Sequence, residues 1–120
     1  MPKPAVLFYS PSSPPYASQL LQLCAVSGLK LRILETADLD RTVSALAQGL
    51  RPAEPLPAGD PLPEPVMILC QLGQGQLDRL LSGLRRQHIT CLKAVLTPTN
   101  ASWSLRALYD ELCQERLRLS

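Results

Sequence analysis

Apolar positions along the chain fall into two alternating kinds of segment. Four short, nearly continuous runs, Ala5–Tyr9, Leu29–Leu34, Val66–Leu72 and Leu92–Thr97, read as strands. Continuity suits strands covered on both faces. The second run is the exception, because Leu29-Lys30-Leu31-Arg32-Ile33 alternates as a sheet edge with one wetter side does. After each run the apolar spacing changes to three and four residues, the pattern of a helix with one buried face. The first helical segment carries Ala17, Leu20, Leu21 and Cys24, with Ser13 to cap it, Pro14 in its first position and Gly28 to stop it. The second begins near Asp38 and presents Leu39, Val43, Leu46 and Leu50. The third runs from about Gln76 to Gln87 with Leu77, Leu80, Leu81 and Leu84. The fourth carries Leu105, Leu108, Tyr109 and Leu112, with Ser104 as N-cap and Trp103 placed to pack on Leu108 as a hydrophobic staple.

Strand-helix alternation of this kind predicts an α/β fold. The expectation is a single small three-layer α-β-α domain over residues 1–120, with a four-stranded, mostly parallel sheet in the order 2-1-3-4. Residues 51–65 interrupt the rhythm with Pro52, Pro55, Pro57, Pro61, Pro63 and Pro65. Proline removes backbone donors and fixes φ, so this stretch reads as an irregular surface loop that folding does not need. No internal repeat is evident. In a sheet wound this way a ligand crevice opens at the carboxyl ends of strands 1 and 3, where the winding reverses.

Composition narrows the picture. Of 120 residues 46% are hydrophobic and 18% charged, which excludes a disordered chain. A net charge of +2 is too mild for a nucleic-acid or anionic-membrane partner. No apolar run approaches a membrane span, and Met1-Pro2-Lys3-Pro4 leads into too short an apolar stretch for a signal peptide, so a soluble cytoplasmic protein is expected. Cys24, Cys70, Cys91 and Cys113 form no C-x-x-C pair and sit among apolar neighbours, as structural reduced thiols do.

Most chemical motifs fail on inspection. Phe8-Tyr9-Ser10-Pro11-Ser12-Ser13-Pro14 looks like the opening of a glutaredoxin, but Ser and Pro stand where the reactive dithiol would be. Cys70 ends a strand as a phosphatase cysteine does, yet position 76 is Gln rather than the required Arg. Gly73 and Gly75 give G-x-G without the third glycine of a dinucleotide fingerprint, which leaves a tight turn or an anion held by bare N–H groups. Tyr9-Ser10 and Cys70-Gln71 supply none of the carboxylates of a receiver-type cation site. His88 beside Arg85 and Arg86 reads as a solvated cation at a helix end, and it is too far along the fold to serve Ser10 or Ser12 as a base. Thr97-Pro98-Thr99-Asn100-Ala101-Ser102 is dense in turn-forming side chains, read first as structure and second as a recognition loop walled by Trp103.

Leu92-Lys93-Ala94-Val95-Leu96-Thr97-Pro98-Thr99-Asn100, followed by Trp103-Ser104-Leu105, resembles a small bacterial family known as domain of unknown function 3783. The resemblance is carried by roughly the last thirty residues and implies a short α/β domain with no catalytic residue to transfer. The residues themselves argue against an enzyme and imply no cofactor and no metal. The first expectation is a non-enzymatic binding or regulatory module that meets a protein partner or a second copy of itself. The alternative is a protein that binds a small polar or anionic ligand, with an activity on it left open, in the predicted crevice at Ser10, Ser12, Gly73, Gly75, Thr97, Asn100 and Trp103. A deep polar pocket would favour the second reading and a flat apolar patch the first.

Overall fold

β1 (Ala5–Tyr9) and β3 (Val66–Cys70) are buried at every position and form the middle of the sheet. β2 (Lys30–Ile33) and β4 (Leu92–Val95) lie outside them, in the order β2-β1-β3-β4. In this computed structural model residues 4–12, 16–50 and 57–119 are described. The sheet is mostly parallel: β1 pairs with β2 and β3 with β4 in parallel, whereas the central pair β1–β3 is antiparallel. Helices α1 (Ala17–Val26) and α3 (Gln74–Arg86) cover one face, over a core that includes Val6, Phe8, Leu20, Cys24, Met67, Leu80 and Leu84. Helices α2 (Val43–Gln48) and α4 (Leu105–Leu119) cover the other, over Leu7, Tyr9, Val43, Leu46, Ile68, Leu105 and Leu108. Three layers result.

Several elements depart from their sequence pattern. β4 is a second edge strand whose exposure alternates, with Lys93 and Val95 outside the cover of α3. The second helix is shorter than its apolar spacing suggests. Asp38 belongs to a separate 3-10 turn, Thr36–Asp38, where its carboxylate accepts the Glu35 N–H at 2.9 Å. Thr42 then caps α2 by accepting the Ala45 N–H at 3.2 Å, and Leu50 ends up exposed beyond the helix. The expected Ser13 cap and Pro14 lie outside the described residues. Gly28 stops α1 as expected: at φ +73 it donates to Ala25 O, and Leu29 donates to Cys24 O. His88 performs the same task for α3 at φ +57, with Ile89 donating to Leu84 O. Its place in the chain is a helix stop.

The antiparallel centre gives the fold an internal repeat that the sequence does not display. A two-fold axis normal to the sheet, between β1 and β3, relates β1-α1-β2-α2 to β3-α3-β4-α4. The backbone bonds obey it. Lys30 N–H donates to Pro4 O as Leu92 N–H donates to Pro65 O, and Leu34 donates to Phe8 O as Leu96 donates to Leu69 O. Between the two helix starts the bonds are reciprocal: Val43 to Trp103 O and Leu105 to Arg41 O, then Ser44 to Ala101 O and Arg106 to Leu39 O. The caps Thr42 and Ser104 pair across the axis in an antiparallel bridge, and each accepts an amide of its own helix. Once superposed, Thr42-Val43-Ser44-Ala45-Leu46 and Ser104-Leu105-Arg106-Ala107-Leu108 correspond residue by residue.

The connection between the halves is not a free surface loop throughout. Residues 51–56 lie outside those described. The remainder straps the α2–α4 face: Leu62 is buried in the core and its N–H donates to Tyr9 Oη at 3.1 Å. Glu64 accepts two bonds from the Arg116 guanidinium at 3.1 and 2.8 Å, and Asp60 O accepts from Arg106 at 2.8 Å. The Arg116 hydrogen bonds hold the Glu64 carboxyl below its usual range.

Candidate functional site

Because β1 and β3 run in opposite directions, their carboxyl ends lie at opposite ends of the sheet. The single crevice expected from the sequence therefore does not exist. Ser10 and Ser12 lie at one end, beside a cavity of about 560 Å³ shared with Ile33, Glu35 and Thr36. Ser10 Oγ donates to Ser12 O at 2.6 Å, so part of that chemistry is already used locally. Gly73, Gly75, Thr97 and Asn100 lie at the other end, and of these only Thr97 lines its cavity.

The turns at this second end explain why. Gly73 precedes α3 at φ −72, and its N–H donates to Gln76 Oε1 at 3.0 Å, so it is not a bare anion donor. Gly75 is already inside the helix and faces open space. Asn100 is 8% exposed and ties its own turn: Oδ1 accepts from Thr97 N–H at 2.9 Å, and Nδ2 donates to Val95 O at 3.1 Å. The Asn100 N–H donates to Thr97 Oγ1 at 3.1 Å. Trp103 is half-buried against the α2–α4 core that contains Leu108. Gly73, Asn100 and Trp103 thus serve turns and core and do not line the cavity.

The cavity at this end measures about 850 Å³ and lies on the α2 side of the sheet. Its floor is Ala5, Lys30, Arg32 and Cys70, its roof Ser44, Ala47 and Gln48 of α2, and its far wall Leu96, Thr97 and Pro98. Symmetry shows why it is hollow. At the opposite end Tyr9 stands where Cys70 stands here, and Tyr109 where Ala47 does. Both tyrosines are buried there, and the strap adds Leu62. Small residues on β3 and α2 leave this end empty.

Arg32 dominates its electrostatics. In register with Leu7 on β1, it points to the α2 side of the sheet, and its Nε is buried with no hydrogen-bond partner. The guanidinium lies over Gly49, which ends α2 at φ +71. A Cβ there would come within 2.7 Å of both Nη atoms, so the glycine makes room for the cation as well as the turn. Among the described residues Lys30 is the other cation lining the cavity, and no acidic side chain lines it. Burial pushes the Cys70 thiol up to about 11, with the charge of Arg32 acting in the opposite direction, so Cys70 is a neutral wall and not a nucleophile at ordinary pH. All four cysteines are free thiols. Among the described residues no cluster of His, Cys, Asp and Glu is placed to hold a metal ion, and no helix is long and apolar enough to cross a membrane.

The sequence pattern does not mark Arg32, Lys30 and Ala47 as site residues, and Cys70 drops out when Gln76 fails the phosphatase pattern. The alternation in β2 marked its cations as the solvated side of an edge, and only the position of α2 shows that this side is roofed.

Comparison with known proteins follows the division of the fold. Residues 65–119 match the family model described as Domain of unknown function (DUF3783). The match takes in β3, α3, β4 and α4, well beyond the last thirty residues that carry the resemblance in the sequence. The segment that matches this family model is thus one of the two symmetric halves, and the cavity lies between it and the other: Cys70, Leu96 and Thr97 come from one side, Arg32 and Ala47 from the other. No curated protein and no solved structure matches the chain.

Proposed function

We propose that this protein is a binding module for a small organic anion, held in the cavity by Arg32 with Lys30 beside it. One observation carries the reading. The Arg32 guanidinium, its Nε buried without a partner, lines a cavity that has no acidic side chain among the described residues. A buried donor left unsatisfied costs about 1–3 kcal/mol, more for a charged group, and an anion meeting Arg32 from the cavity offsets the charge that the fold leaves unpaired. The volume falls within the range of ligand pockets, roughly 300–1,000 Å³. Thr97, Ser44, Gln48 and Gln71 supply neutral polar groups to orient a ligand, and among the described residues no activated nucleophile or acid-base pair stands beside them. A docking surface is less well supported. The exposed large hydrophobics among the described residues are spread over α1 (Leu21, Val26), β2 (Ile33), β4 (Val95), α4 (Leu117) and Leu50 after α2, with Ile33 and Val95 on opposite edges of the sheet.

Calorimetric titration of the full chain with small carboxylates and phosphates tests the reading. Arg32→Gln is expected to weaken binding by roughly tenfold or more, about 1.4 kcal/mol per decade, while the melting curve stays cooperative. Binding of the same strength in wild type and variant would sink the proposal.

A further inference from the structure

The chemistry of the cavity wall changes steadily across the sheet. Lys30 and Arg32 stand at the β2 edge. Ala5 and Cys70, opposite each other in the β1–β3 register, form the middle of the floor. Leu96 lies beyond them, its N–H fixed to Leu69 O at 2.9 Å, and Ala47 roofs the line. Strands about 4.8 Å apart make this floor roughly 14 Å across from β2 to β4. A bare inorganic anion would fill only the cationic edge and leave to water the line of Ala5, Cys70, Ala47 and Leu96, which the neutral groups of Gln71 and Thr97 border. Among the described residues no lining cation stands at the Leu96 end to meet a second charge.

Resting on the reading that Arg32 holds an anion, we propose that the ligand is an amphiphilic monocarboxylate. Its head pairs with the fork of Arg32, whose planar donors match a carboxylate. Its apolar body, about eight carbons for a floor of this width, lies across Ala5 and Cys70 towards Leu96. Burying that body supplies the part of the affinity that the ion pair alone does not.

Calorimetry with octanoate, acetate and inorganic phosphate on the full chain separates the two readings. Octanoate is expected to bind at least roughly tenfold more tightly than either small anion, and Arg32→Gln to weaken it by a similar factor. Ala47→Tyr, which gives this end the side chain that Tyr109 supplies at the other, is expected to abolish octanoate binding and spare acetate. Ala47→Leu, a milder filling, should weaken octanoate alone and stands in if the tyrosine variant does not fold. Acetate or phosphate binding as tightly as octanoate, unaffected by Ala47→Leu, would overturn the amphiphile and leave the anion site standing. Octanoate binding equally to wild type and Arg32→Gln, or no binding by any of the three, overturns both.

Discussion

In the turn after β4 the side chain of Asn100 does work that a backbone group does elsewhere, accepting one amide and donating to one carbonyl of its own loop. Turn chemistry of this kind was legible in Thr97-Pro98-Thr99-Asn100, because such side chains compete for nearby backbone groups. Asn100→Ala leaves Thr97 N–H and Val95 O without these partners, and should cost about 1–3 kcal/mol in denaturant unfolding. A melt identical to wild type would return Asn100 to the list of ligand contacts. The buried thiols make a second test. Burial raises Cys24 and Cys70 to about 11, against 9.0 for the ordinary thiol. Between those values the folded chain keeps protons that the unfolded chain has lost, so their contribution to stability is complete below about pH 9 and declines as pH rises towards 11. Replacing both by Ala should flatten that part of the stability curve relative to wild type. Arg32 was not legible as a site residue, since a cation on an alternating edge strand looks the same whether or not a helix later roofs it.

At the level of elements, local patterns placed β1, Gly28 and the Ser104 cap well, because each depends on residues within a turn of itself. Boundaries that depend on distant contacts were less visible. The apolar spacing from Leu39 to Leu50 reads as one helix, but Leu39 is buried from the preceding turn and Thr42 restarts the chain. The strap is the clearest case. Its prolines correctly announce irregular backbone, and they say nothing of where its one large apolar residue, Leu62 within 57–65, will go. With Leu62 buried beside Tyr9, Leu62→Ala is expected to destabilise the protein by about 2–4 kcal/mol, measured by chemical denaturation. A loss under about 0.5 kcal/mol, the level of an ordinary surface change, would show that the strap is as dispensable as its composition suggests.

For the whole molecule, layers and strand order followed from the alternation of elements, but the direction of β3 did not. A strand buried on both faces shows the same apolar run in either orientation, and the long connection through residues 51–65 allows β3 to start beside Tyr9 instead of beside Ala5. That one reversal divides the predicted crevice in two and makes the molecule a pair of matched halves. It also bears on chain connectivity. If the halves are equivalent, the path from the end of α2 to Pro65 has a counterpart running from the corresponding turn of α4, at Leu112, back to Pro4. Nothing in the packing then requires the first half to come first. A circular permutant that begins at residue 57, runs through α4, and rejoins Pro4 by a flexible segment about as long as residues 51–64 should fold to the same sheet. Its unfolding should remain cooperative, and its affinity for an anion at Arg32 should match that of the native order. A permutant that fails to fold, while the same flexible segment inserted at residue 51 of the native order is tolerated, would show that the chain order matters where the symmetry says it does not.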